Sequence, residues 1–243
     1  MSDWLDWLNK IKEEFNNNKD SFLQQENISR TIHPQHGGNN VYQHLKSKVD
    51  YLDKLQDQKF GKPKIKFDNK FSLTSIESTY HILKLKEFFN IEPKDLDRVT
   101  DIGGGYGYLC YSFHQLGFKG NYTICDFEIM NNIQNHYLTN TLDNANYNCV
   151  TLIPENLSTN IDNSFLIGTY SISEMPLNDR QIIEPYYKEH KYIMIIYKGN
   201  AKFGVNNLKY FDKLKNSLSE THNTTYYKCP LRKNDHYLIS ERK

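Results

Sequence analysis

The spacing of apolar residues changes near residue 71, and the chain divides there into two kinds of pattern. Residues 1–70 are polar and irregular. Trp4, Leu5, Leu8, Ile11 and Phe15 fall at helical spacing, and Asn16-Asn17-Asn18 should end that helix. The stretch Arg30–Asn40 reads as a loop from its Pro, Gly and Asn content, and a second helix is expected from Val41 to about Gln58. From Phe71 the pattern tightens. Thr74 and Glu77 match a capping box before a helix whose apolar face carries Ile76, Tyr80, Leu83 and Phe88. Strands are then expected at Arg98–Ile102, Tyr122–Asp126, Cys149–Ile153, Phe165–Tyr170, Tyr192–Tyr197, Thr224–Cys229 and His236–Ser240. Helices are expected between them at Tyr108–Leu116, Ile129–Leu142, Asn178–His190 and Asn207–Leu218.

Strands alternating with helices imply a mostly parallel sheet covered on both faces. The last two strands are joined only by Pro230–Asp235. A parallel crossover takes about a dozen residues, so this pair must be an antiparallel hairpin. The division therefore runs 1–70, a helical and loop extension, and 71–243, an α/β domain.

Composition narrows the functional classes. The 243 residues carry a formal net charge of +1, which gives no broad electrostatic footprint for nucleic acid or an anionic membrane. No apolar run approaches the roughly 20 residues that span a bilayer. The start Met1-Ser2-Asp3-Trp4 lacks the basic and apolar parts of a signal peptide. Cys110, Cys125, Cys149 and Cys229 are scattered, with no zinc-type spacing. A reduced, cytoplasmic-type protein is expected. Aromatics make up 14% of the chain and can fill a sizeable core.

The strongest local signal is Asp101-Ile102-Gly103-Gly104-Gly105-Tyr106-Gly107-Tyr108, between the first strand of the α/β region and its following helix. Glycines there allow a sharp turn and close approach of a ligand to the main chain. A dinucleotide fingerprint starting at Gly103 would need a glycine where Tyr108 stands, and no Lys-Ser/Thr follows as a P-loop requires. The acid Asp126 ends the next strand, where a carboxylate can accept hydrogen bonds from both ribose hydroxyls.

These residues resemble motifs I and II of class I S-adenosylmethionine (SAM) methyltransferases, over about Thr74–Lys243. The resemblance implies a Rossmann-like, seven-stranded sheet and SAM as cofactor. It places Gly103, Gly104, Gly105 and Gly107 along the cofactor's methionine part. Asp101 would support its amino group and Asp126 its ribose, with Phe127, Glu155, Asn156 and Tyr170 as further cofactor contacts. A narrower resemblance, to sugar O-methyltransferases of polysaccharide clusters, rests on the glycine segment, on Gln134-Asn135-His136-Tyr137-Leu138 and on Tyr170-Ser171-Ile172-Ser173-Glu174-Met175. It implies a sugar or nucleotide-linked sugar as acceptor, in glycan biosynthesis; another small molecule, RNA, or a silent SAM-binding partner subunit are the alternatives.

A sugar hydroxyl is a poor nucleophile near neutral pH and needs a base or a metal. Ligands of this architecture sit over the carboxyl ends of the parallel strands. Glu174, just past the fourth strand, is the first candidate base, with a structural carboxylate as the other reading. His136 is the second candidate; it faces either the acceptor or solvent. Tyr106, Ser171, Ser173, His33 and His36 are candidate acceptor contacts, and the extension 1–70 is expected to lie on the acceptor side or to form a cap. No acidic pair ends the fourth strand to hold a metal, and none is expected.

Overall fold

The computed structural model describes residues 2–33, 37–200 and 203–243. Seven strands form one sheet: β1 (Arg98–Ile102), β2 (Asn121–Asp126), β3 (Tyr147–Thr151), β4 (Ser164–Thr169), β5 (Tyr192–Lys198), β6 (His222–Lys228) and β7 (Asp235–Arg242). Their order is β3-β2-β1-β4-β5-β7-β6. β1 to β5 pair in parallel, and β7 runs against both β5 and β6. The expected Rossmann-like sheet with a closing antiparallel hairpin is therefore present.

Alternation along the strands makes two apolar faces. Phe165, Ile167, Met194, Ile196, Tyr237 and Ile239 enter one cluster, while Leu166, Ile193, Ile195 and Leu238 enter the other. The second face is covered by α8 (Leu177–Ile183) and α9 (Asn207–Leu218), through Ile183, Phe211 and Leu214. The first and larger face carries α4 (Leu73–Phe89), α5 (Tyr108–Gln115) and α6 (Glu128–Thr141). The amino-terminal helices α1 (Ser2–Asn17), α2 (Glu26–Ile32) and α3 (Asn39–Lys46) join the same cluster through Ile11, Phe15, Ile28, Val41 and Leu45.

Several elements differ from the reading of the sequence, each for a local reason. Ser72 caps α4, its Oγ accepting from Ser75 N at 3.2 Å. Thr74 instead meets His33, and Glu77 pairs with Arg232. The expected helix 41–58 ends at Lys46 and resumes only as a short 3-10 turn at Leu52–Leu55. The helix expected over Asn178–His190 gives way after Ile183 to a 3-10 turn, Glu184–Glu189, where Pro185 lacks the N–H an α-helix requires. The short helix α7 (Pro154–Leu157) follows β3. No helix among the described residues is long and apolar enough to cross a membrane.

Candidate cofactor and acceptor site

The carboxyl ends of the parallel strands form one rim. Asp126 ends β2, Asp101 stands near the end of β1, Tyr170 follows β4 and Lys198 ends β5, paired with Asp235 at the start of β7. β1 lies between β2 and β4, so the strand order reverses at β1, where open α/β sheets bind ligands. A cavity of about 610 Å³ opens along this rim.

At the β1–β2 end the backbone makes the tight turn the glycines permit. Gly103 and Gly105 hold φ of 72° and 59°, values side chains resist. A Cβ on Gly103 would lie 2.4 Å from Ser171 Cβ, and one on Gly104 would lie 2.8 Å from Asp101 Oδ2. Asp101 is fully buried. Its Oδ2 accepts from the Tyr122 hydroxyl at 2.9 Å, and among the described residues its Oδ1 has no hydrogen-bond partner. Burial pushes its carboxyl up to about 7; the Asp126 charge adds to the rise and the Tyr122 hydrogen bond opposes it.

Asp126 Oδ1 accepts from Phe127 N at 2.8 Å, and Oδ2 accepts from Gln134 Nε2 at 2.9 Å. Burial raises this carboxyl too, to about 7, against those two hydrogen bonds. Gln134 Nε2 also donates to Gly105 O at 3.0 Å, so one amide ties the glycine turn to the acid of β2. Phe127, 48% exposed, stands beside Met130 and Leu152 on the cavity wall.

These residues fit SAM. An orphaned buried carboxylate oxygen suits an ammonium group, Asp126 suits a ribose diol, and Phe127, Met130 and Leu152 offer apolar surface for an adenine. The glycine turn leaves its main chain open to a ligand.

The β4–β5–β7 end carries different chemistry. Tyr170 adopts φ 68° and ψ −30°, a strained conformation for a non-glycine residue. The turn sends Ser171 back over β1, where its hydroxyl donates to Ile102 O. The Tyr170 hydroxyl donates to Asp235 Oδ2 at 2.7 Å. Lys198 pairs with Asp235 Oδ1, and Arg232 reaches Oδ2 at 3.1 Å and pairs with Glu77. Glu77, His81, Lys198, Arg232 and Glu174 all line the cavity, and α1 and α2 roof it with Trp7, Leu8, Thr31 and Ile32.

Of the residues singled out from sequence, Asp101, Gly103, Gly104, Gly105, Tyr106, Asp126, Phe127, Tyr170, Ser171 and Glu174 line this one cavity. Others stand apart from its lining. Gly107 caps α5 at φ 96° and faces Leu138. Glu155 is exposed, and Asn156 donates to Thr151 O at 2.7 Å, leaving Leu152 to line the cavity. Ser173 is buried, its hydroxyl donating to Tyr170 O at 2.7 Å. His33 uses both ring nitrogens, Nδ1 on Thr74 Oγ1 at 3.0 Å and Nε2 accepting from Lys64 N at 2.8 Å. Burial, then the Lys64 charge, lowers it to about 4, so it is a neutral structural link. His136 packs among Phe15, Phe22 and Phe60, with ring centroids 5.4, 6.2 and 5.0 Å away, and does not reach the cavity. His36 lies outside the described residues.

Sequence reasoning missed Gln134, His81, Glu77, Lys198 and Arg232, and the roof from α1 and α2. The available signal for Gln134 was a polar residue among Met130, Ile133, Tyr137 and Leu138 on the apolar face of α6.

No family model matches the sequence, and no curated protein matches it. Solved structures do match. The chain is similar to magnesium protoporphyrin IX methyltransferase (ChlM) from Synechocystis PCC 6803 with bound SAM, at 11% identity and a TM-score of 0.54, covering 98% of this chain and 97% of that one. It is also similar to the methyltransferase domain of bacterial CtHen1, at 11% identity and TM-score 0.51, over 68% of this chain and 97% of that one. The fold is the class I methyltransferase fold. The cavity lies over the carboxyl ends of the strands in this fold, and Asp101, the glycine turn and Asp126 line it.

Proposed function

We propose that the chain is a SAM-dependent O-methyltransferase whose acceptor is a hydroxyl of a sugar or nucleotide-linked sugar. One observation carries the reading: the orphaned Asp101 Oδ1, the Gln134-clamped Asp126 and the glycine turn face one cavity that continues into a separate polar end. Bound there, SAM supplies a methyl group on a sulfonium, an electrophile with a neutral thioether as leaving group.

The protein's part is to bind, align and exclude water. Asp101 and Asp126 hold the cofactor's polar groups, and Phe127, Met130 and Leu152 its apolar ring. Trp7, Leu8 and Ile32 close the roof against water. Glu174 is proposed to accept a hydrogen bond from the acceptor hydroxyl. Glu77, Lys198 and Arg232 provide the mixed donors and acceptors that a many-hydroxyl acceptor requires. The small-molecule acceptor, rather than nucleic acid, is supported by a net charge of +1. The apolar roof favours a second reading, a more apolar small-molecule alcohol.

Calorimetry with S-adenosylhomocysteine (SAH) and NAD tests the cofactor, with SAH expected to bind and NAD not. Transfer of tritiated methyl from SAM to a panel of sugars, sugar nucleotides and aromatic alcohols then tests the acceptor. Tighter binding of NAD than of SAH would sink the reading.

A further inference from the structure

His81 is a buried imidazole on the cavity wall that no sequence motif indicated. It sits on α4, one turn beyond Glu77, and is 4% exposed. Its Nδ1 lies 2.9 Å from the Tyr237 hydroxyl of β7. Among the described residues its Nε2 has no hydrogen-bond partner, although the ring lines the cavity. Tyr170, at the turn after β4, stands edge-on to the ring with centroids 6.3 Å apart. The imidazole is thus held by packing and one hydrogen bond, with one nitrogen left over, beside Tyr170, where β4 ends and the acceptor end begins.

We propose that His81 Nε2 takes the proton from the acceptor hydroxyl. The inference rests on the methyl-transfer reading above. The acceptor O–H bond breaks and its proton forms a new N–H bond at Nε2. The oxygen's electron pair forms the O–C bond while the C–S pair leaves with sulfur. The imidazolium then passes its proton to water. For this the resting ring must carry its proton on Nδ1, donated to the Tyr237 oxygen, so that Nε2 presents a lone pair.

The surroundings support both the neutral ring and the transient cation. Burial lowers the pKa of His81 to about 4, with Asp235 opposing and Lys198 adding to the fall. Tyr237 and Asp235 face it from β7, Lys198 from β5, Tyr170 from the turn after β4 and Tyr80 from α4 itself, with Glu77 on the same cavity wall but paired with Arg232. Burial keeps Tyr237 protonated well beyond neutral pH, so it cannot supply a negative charge. The Asp235 carboxylate is the group that stabilises the imidazolium when it forms. Glu174 then orients the hydroxyl, and His81 removes its proton.

The test has two arms. With ¹⁵N-labelled histidine, the His81 signals are those lost in His81→Asn. Long-range ¹H–¹⁵N correlation of the SAH complex should show Nδ1 protonated, Nε2 bare and no titration from pH 5.5 to 8. A proton on Nε2 in the neutral ring would overturn the proposal, and this arm needs no acceptor. Where a panel acceptor is turned over, His81→Asn, which keeps the bond to Tyr237, should bind SAH within about twofold of wild type. Its kcat should fall by about 10²–10⁴-fold, the range for loss of general-base catalysis. His81→Ala should regain activity with added imidazole, as a merely structural histidine would not. A fall below about fivefold in a folded variant overturns the assignment. Failure of wild type to bind SAH would instead remove the methyltransferase reading, whatever His81 does.

Discussion

At the scale of single residues, the site depends on how two buried acids are held. Among the described residues Asp101 keeps one oxygen unpartnered inside the protein, a costly arrangement that the proposed ammonium contact would relieve. Asp101→Asn keeps the shape and removes the charge. SAH affinity should fall by about 1.5–3 kcal/mol, the range for a hydrogen bond to a charged group, and calorimetry would read it as a rise in Kd. Asp126 takes its orientation from Gln134, so Gln134→Leu should weaken SAH binding by about 1 kcal/mol or more. Combined with Asp126→Ala, the loss should be clearly less than the sum, because both variants remove one arrangement. Additive losses would show that Gln134 acts elsewhere. Glu174→Gln should lower kcat by only about fivefold, because a neutral oxygen still accepts the hydroxyl's hydrogen bond at roughly half the strength. The acids were legible in the sequence because acids at strand ends beside a glycine turn have few other uses. Gln134 and His136 came from the same five-residue segment, yet two helical positions turn a side chain by about 200°. The turn puts Gln134 beside Asp126 and His136 against Phe15 and Phe60.

At the scale of elements, the alternation of strands and helices was legible because β4 and β5 are mostly apolar runs and the connections around α5 carry Gly103, Gly104, Gly105, Gly107, Gly117 and Gly120. What the sequence hid was long-range contact. The Thr74/Glu77 pair looked like a helix cap, but Thr74 bonds His33 across 41 positions and Glu77 meets Arg232. No local pattern encodes such partners. α2 was hidden within a stretch read partly as loop, since its short run Glu26–Ile32 has too few apolar positions to show a period. The glycine turn gives a test at this scale. A Cβ on Gly104 would stand 2.7 Å from Ile124 Cγ2 and 2.8 Å from Asp101 Oδ2. Gly104→Ala must therefore move the β2 core or the Asp101 carboxylate. It should destabilise the protein by about 1–3 kcal/mol through overpacking and weaken SAH binding as well. Thermal melting with and without SAH would check both effects. A variant that melts and binds as wild type would mean the turn is looser than its contacts indicate.

At the scale of the whole molecule, the amino-terminal helices and the sheet share one core, and the buried ionisable groups of both couple folding to pH. Two sets oppose each other. His33, His81 and His190 are lowered to about 4, chiefly by burial. A histidine near 6.5 in the unfolded chain and near 4 in the folded one contributes stability above pH 6.5, which is lost as pH falls toward 4. His44, His114, His222 and His236 are also lowered and act in the same direction. Asp57 is raised to about 6, and Asp101 and Asp126 to about 7, chiefly by burial. An acid raised in the folded state contributes stability below its unfolded value near 4, which is lost as pH rises through about 6 to 7. Between pH 5 and 6.5 the histidines outnumber the acids, so the melting temperature should rise. Above 6.5 the unfolded-chain histidines finish losing their protons while Asp101 and Asp126 are still ionising in the folded protein, so it should fall toward pH 8. The ligand-free protein should therefore melt highest near pH 6.5. In the proposed site, saturating SAH would set an ammonium beside Asp101 and favour its ionised form, so the fall above pH 6.5 should shrink and SAH affinity should rise from pH 6 to 8. Asp101→Asn should shrink the fall without ligand. Melting curves at half-unit steps from pH 5 to 8.5, with and without SAH, decide it. A ligand-free melting temperature that keeps climbing through pH 8 would show that Asp101 and Asp126 are ionised in the empty site, and that the cofactor meets two carboxylates already charged.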